Sequence, residues 1–368
     1  MIRALRGFRQ ADRLSVWVQS TPGYRTRHLR GALHPPPVQR AAKMALAALS
    51  GDEQCIIFSQ LCNVLDTRVA VAFSSTSSEL RALTQAPRQQ LRADYEAAAA
   101  LGRKMGMQSC KVLREATMVR CFPKGLSADD LATLGTLGSV LPALERLYLV
   151  EPAAGPDGMQ RLVEKLGAGA LPAVTRLFLN CMHLGGAGAS ALAAALGRGA
   201  MPRLKSLHLH NAAIGDAALL ALAPALRRLP ALKYLGLVGS PLGDEGLAAL
   251  MAPPPPPAGA LPPPTGVLTK LKVLDLGYTQ ITDAGCAALA AALDSGALPA
   301  LKVLYLQGAE HGGIPASATA VAAVYEARDT LKDEGEEEEE DEGEDEGEED
   351  DGEEEEEEND GEDDGEGS

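Results

Sequence analysis

A spacing of leucines constrains this chain more than any other feature of its sequence. The pattern L-x-x-L-x-L recurs as Leu144/Leu147/Leu149, Val174/Leu177/Leu179, Leu204/Leu207/Leu209, Leu232/Leu235/Leu237, Leu271/Leu274/Leu276 and Leu301/Leu304/Leu306, with a degenerate first copy at Ala116/Val119/Cys121. Successive starts lie 28, 30, 30, 28, 39 and 30 residues apart. A period held through so many copies marks a repeat array, in which each unit buries its apolar face by stacking on its neighbours.

The second half of each unit keeps the same phase. Leucine or isoleucine stands at the eleventh position (Leu126, Leu184, Ile214, Leu242, Ile281) and leucine at the nineteenth (Leu134, Leu162, Leu192, Leu222, Leu250, Leu289). A two-residue alternation giving way to helical spacing predicts a short strand followed by an amphipathic helix. Gly158, Gly188, Gly246 and Gly285 share the fifteenth position, where the missing side chain is expected to let the helix approach the strand layer.

The segments "LPALKVLYLQG" from Leu298 and "LKVLDLGYTQITDAGCAALAAAL" from Leu271 resemble the ribonuclease-inhibitor type of leucine-rich repeat. The resemblance covers residues 116–331, about seven units. It implies an α/β fold: a right-handed solenoid, or horseshoe, with a parallel concave sheet and outer helices. One departure stands out. The family usually carries asparagine at the ninth position, bonded to backbone between turns, whereas this chain has Lys124, Pro152, Met182, Ala212, Ser240, Thr279 and Ala309. Water, or Ser240 and Thr279 locally, is then expected to satisfy that backbone, with looser turns.

In such a fold the leucines at positions four and six point inward, so positions three, five and seven face outward on the sheet. Position five reads Arg120, Tyr148, Phe178, His208, Gly236, Asp275, Tyr305; position three adds Arg146, Arg176 and Tyr234, and position seven adds Phe122 and His210. Arginine and aromatic residues dominate binding hot spots, so this face is the expected site of a protein partner, centred on Tyr148, Phe178, Arg146 and Arg176 with His208 and Tyr234 at its border. Sheet surfaces also favour aromatics for their own packing.

The flanks differ in composition. Residues 1–43 hold eight Arg, one Lys and a single acid, Asp12, the composition of an organelle transit peptide without its clean amphipathic helix; translation from Met44 is an alternative. Residues 44–115 read as broken helices. Within them Ile57, Phe58 and Leu61, followed by Asp66 and Arg68, resemble an F-box, which implies that the three apolar residues dock a Skp-type adaptor of a ubiquitin ligase. A helical cap over the first repeat explains the same residues. The spacing of 39 residues reflects a proline-rich insertion at 252–265, expected as a polyproline II loop.

Charge is distributed unevenly. From Asp333 to Ser368 lie 27 of the 50 acids and no base, so the remainder, with 34 bases and 23 acids, is +11 while the whole chain is -16. Residues 332–368 are therefore expected as a disordered acidic tail, either screening Lys205, Lys233, Lys272 and Lys302 of the same chain or binding a basic protein such as a histone. A solenoid followed by such a tail also resembles the Ran GTPase-activating proteins, which would make Arg120, Arg146 and Arg176 candidates for a GTPase contact, and the acidic nuclear phosphoproteins.

Enzymatic signatures are missing from the sequence. No Gly-Lys dipeptide of a phosphate-binding loop occurs, nor H-E-x-x-H or G-x-S-x-G. The six cysteines form no C-x-x-C pair, and only His208 and His210 share a strand face. The reading is a cofactor-free, non-enzymatic interaction scaffold in the cytoplasm or nucleus, or in an organelle if residues 1–43 direct import. No membrane span and no direct nucleic-acid contact are expected.

Overall fold

A computed structural model describes residues 49–252, 268–306 and 314–333. The basic N-terminal segment, nearly all of the proline-rich insertion and the tail beyond Asp333 lie outside the described residues. The chain forms two compact units, one ending at Ala93 and the other beginning at Asp94.

In the first unit, α1 (Gly51–Leu61) opens with a capping box. The Glu53 backbone N–H donates to Ser50 Oγ at 3.3 Å, and the Ser50 N–H donates to Glu53 Oε2 at 2.9 Å, so two otherwise orphaned donors are satisfied. The helices α2 (Arg68–Ser74) and α3 (Ser78–Leu83) follow, and α4 (Gln85–Lys104) contains the boundary between the units. Phe58, Ala70 and Leu91 form a small core against which Leu61, Val64 and Phe73 pack.

The second unit holds the end of α4, then α5 (Cys110–Glu115), and then the repeats. Leu101, Met105 and Leu113 are buried ahead of the first strand. Strands β1 (Met118–Cys121), β2 (Arg146–Leu149), β3 (Arg176–Phe178), β4 (Ser206–His208), β5 (Tyr234–Gly236), β6 (Val273–Asp275) and β7 (Val303–Tyr305) form one sheet in chain order. All six pairings are parallel, and Val119, Leu147, Leu177, Leu207, Leu235, Leu274 and Leu304 lie side by side in register. The strand register therefore repeats the leucine alignment of the sequence residue for residue. Positions four and six are buried in every repeat, as a strand with one face on the core requires.

Between strands run α6 (Ala128–Leu137), α7 (Gly155–Lys165), α8 (Gly185–Gly197), α9 (Asp216–Leu226), α10 (Asp244–Met251) and α11 (Asp283–Asp294), each packed on the next, and α12 (Ala318–Asp333) covers α11. Helix α12 continues through Lys332 and Asp333, the first two residues of the segment set apart as tail by its charge.

The turns after the strands are joined by direct backbone bonds: the Cys181 N–H donates to the His210 carbonyl at 2.8 Å, Asn211 to Val238 at 2.7 Å and Gly239 to Gly277 at 3.0 Å. The hydroxyls expected to help do so, Ser240 Oγ donating to the Leu209 carbonyl at 3.5 Å and Thr279 Oγ1 to the Leu276 carbonyl at 2.8 Å. The eighth position supports this by turning left-handed at Cys181, Asn211, Gly239 and Tyr278, with φ of 55°, 52°, 66° and 54°. The glycines of position fifteen meet the preceding turn and the neighbouring repeat, not the strand layer; a Cβ on Gly246 would stand 2.6 Å from Asp216 Oδ1, and one on Gly158 2.8 Å from the Ala154 methyl. In the first repeat, where Lys124 stands in place of the family's asparagine, a carboxylate of the next repeat serves. Glu151 is 1% exposed, and its carboxylate accepts the Lys124 N–H at 2.6 Å and the Leu126 N–H at 3.4 Å.

Candidate functional site

The outward face of the sheet is built by residues that the buried leucines hold in place. Adjacent strands put side chains of one column about 4.8 Å apart, close to the thickness of a stacked ring pair. The rings of Tyr148 and Phe178 stack at 4.1 Å between centroids and 10° between planes, Phe178 and His208 at 4.0 Å and 14°, and His208 and Tyr234 at 4.1 Å and 24°. The Arg120 guanidinium lies over the Tyr148 ring, 5.4 Å from its centroid, and ends the stack on that side. One continuous ladder thus crosses five strands, from β1 to β5.

The ladder changes column at its far end because position five of β5 is Gly236. Tyr234, from position three, contributes the ring in its place, and His210 fills the space beside the glycine: a Cβ there would stand 2.9 Å from His210 Cδ2 and 3.0 Å from Tyr234 Cε1. The His210 backbone N–H donates to Asn180 Oδ1 at 3.3 Å, while its Nε2 is buried without a hydrogen-bond partner among the described residues.

These surroundings keep the imidazoles neutral. Burial, helped by His210 and Arg176, pushes His208 down to about 3. Burial also lowers His210, opposed by the negative charge of Asp275. Tyr234 is pushed up to about 12 by burial and by Asp275 and Tyr305. Asp275 is itself raised by burial, against the Gly277 N–H that its Oδ1 accepts at 3.2 Å and the nearby His210. An uncharged aromatic strip therefore runs between a guanidinium and a carboxylate.

Of the face residues singled out in the sequence, Arg120, Tyr148, Phe178, His208 and Tyr234 form the ladder and His210 and Asp275 adjoin its end. Arg146 and Arg176 are register partners on β2 and β3, both exposed beside it. Phe122 and Tyr305 are 46% and 50% exposed and make no ring contact among the described residues. The F-box-like residues are placed differently from their expected docking role. Phe58 is 1% exposed at the centre of the first unit's core, and Leu61 packs against that core, because the apolar side of α1 faces α2; Ile57 is half-buried, and the outward apolar residue is Ile56, 61% exposed. Asp66 and Arg68 form a two-bond ion pair, both contacts at 2.8 Å.

Sequence columns did not single out the aspartates of position thirteen. Asp216 accepts the N–H groups of Gly243 and Gly246 at 2.8 and 2.9 Å, Asp244 the N–H and the hydroxyl of Thr282 at 2.8 and 2.6 Å, and Asp283 the N–H of Ser317. Each caps the start of the next repeat's outer segment. Their shared spacing, visible in "IGDAALL", "LGDEGLA" and "ITDAGCA", was the available signal.

The family described as Leucine Rich repeat matches residues 267–290. These residues span β6 and the first part of α11, one strand-to-helix unit of the array. Leucine-rich repeats are in general non-enzymatic interaction modules, and the match supports a protein partner in that general sense. No curated protein matches the chain. Among the described residues no group of three His, Cys, Asp or Glu side chains could hold a metal ion, and no helix is long and apolar enough to cross a membrane.

Proposed function

We propose that this protein is a non-enzymatic scaffold that binds a protein partner across the outward sheet face, with Arg120, Arg146 and Arg176 beside the Tyr148–Phe178–His208–Tyr234 ladder. The observation that carries the reading is the ladder itself: four stacked rings on short strands, ended by the Arg120 guanidinium and flanked by the exposed Arg146 and Arg176, form a preorganised surface that loses little entropy on binding. The inner ring faces are occupied by one another and the outer face of Tyr148 by Arg120, so a partner meets mainly ring edges, the Tyr hydroxyls and the arginines.

The finer version makes the chain the substrate receptor of a ubiquitin ligase, its adaptor held by the first unit. In that version Ile56, rather than the buried Phe58, is the outward apolar residue of α1. The test is affinity capture with the full chain, followed by binding measurements on the identified partner. Recovery of a Skp-type adaptor supports the ligase version; recovery of a small GTPase replaces it with the Ran-type activator. Arg146→Ala with Arg176→Ala should weaken binding by roughly thirtyfold or more, since a central anchor contributes about 2 kcal/mol. Unchanged affinity in that variant, with binding lost when residues 253–267 are deleted, would reject the sheet face.

A further inference from the structure

Position two of the repeats carries lysine in four consecutive units, and the structure brings these four together. Lys233 donates its backbone N–H to the Lys205 carbonyl at 2.7 Å, Lys272 to Lys233 at 2.8 Å and Lys302 to Lys272 at 2.8 Å, so the lysines stand in one row across β4 to β7. Strand spacing of about 4.8 Å makes the row roughly 15 Å long. Lys205, Lys233 and Lys302 are exposed and Lys272 is half-buried. Arg203 and Lys270, two residues ahead of Lys205 and Lys272 in the turns entering β4 and β6, are also exposed. Among the described residues no carboxylate forms an ion pair with any of these six.

A row of like charges within one another's screening length is unfavourable by itself and calls for a counter-charge. The column is basic only in the half of the array that precedes α12; in the β2 repeat the same position is Glu145 and in the β3 repeat Thr175. Immediately after α12 the sequence supplies the opposite charge, beginning with seven consecutive acids at residues 336–342. A segment of ten residues reaches about 33 Å when extended, twice the length of the row. Covalent attachment sets an effective concentration of about millimolar, so modest electrostatic attraction suffices to keep the contact populated.

We propose that the acidic segment following Asp333 docks on the Lys205–Lys233–Lys272–Lys302 row of its own chain and withholds that row from other polyanions. This inference is independent of the partner assigned to the aromatic ladder.

Zero-length carbodiimide cross-linking of the full chain, mixed as isotope-labelled and unlabelled protein, tests it. Within-chain links should join acids of 334–358 to Lys205, Lys233, Lys272 and Lys302 in preference to Lys104, Lys111 and Lys165, and should fade as salt rises. Links spread evenly over all lysines, links found only between chains, or no links would overturn it, the second outcome leaving the tail to a basic partner. As a second readout, changing residues 336–342 to Gln and Asn should strengthen heparin binding on the order of tenfold. Adding K205Q, K233Q, K272Q and K302Q should abolish that gain; a gain that survives these substitutions contradicts the proposal.

Discussion

The ring of His210 occupies the space that Gly236 leaves on the neighbouring strand, with its Cδ2 only 2.9 Å from where a Cβ would stand. The glycine is thus part of the aromatic surface, since it lets Tyr234 and His210 close over β5. Gly236→Ala should displace both rings and lower stability by about 1–3 kcal/mol, the usual cost of overpacking. Urea unfolding of this variant alone and combined with His210→Ala checks the coupling. The second substitution should recover most of the loss; an alanine cost that is the same in both backgrounds would show that the two residues are not linked.

Asp216 caps a helix of the next repeat. The residue that precedes α10 is Gly243, which has no side chain to accept the helix's first N–H groups, and the Asp216 carboxylate accepts two of them from the adjoining unit. Asp216→Ala should cost about 1–2 kcal/mol, as a lost N-cap does, while Asp216→Asn retains part of it. Amide exchange should quicken first at Gly243 and Gly246. Equal exchange in both variants and the parent would show that the cap contributes nothing.

The fold was legible because its register is written in the sequence: Leu147, Leu177 and Leu207 share a column in the text and are register partners in the sheet. The ladder was legible only in part. The columns put Tyr148 and Phe178 at the centre of a patch with His208 and Tyr234 at its border, but that Tyr234 continues the stack depends on Gly236 in the neighbouring column. Glu151 and Asp216 were hidden for a related reason. Glu151 serves backbone where position nine lacks the asparagine and Asp216 caps a helix whose own preceding residue is Gly243, each from the neighbouring repeat, and the backbone donors they serve leave no mark in the sequence. Phe58 was assigned to a surface because a short helical motif does not say which of its apolar residues faces the second helix.

The ladder also makes stability depend on acidity. Burial holds His208 down to about 3, with His210 and Arg176 adding to the effect, whereas in an unfolded chain a histidine titrates near 6.5. Between these values the unfolded chain holds a proton that the folded chain excludes. Stability is therefore greatest above about pH 6.5 and declines as the pH falls towards 3, by at most about 1.4 kcal/mol per pH unit from this one group. His210, also lowered, adds a contribution of the same sign, reduced by Asp275. His208→Phe keeps a ring between Phe178 and Tyr234 but cannot take up a proton. Its stability relative to the parent should rise steadily as the pH is lowered from 6.5 to 5, measured by urea unfolding at each pH. Carboxylates with lowered values, such as Asp130 beside Lys104, bend both curves alike at the acid end and cancel in the difference. A difference that stays flat across this range would mean that His208 accepts its proton in the folded chain, and that the stack does not hold it neutral.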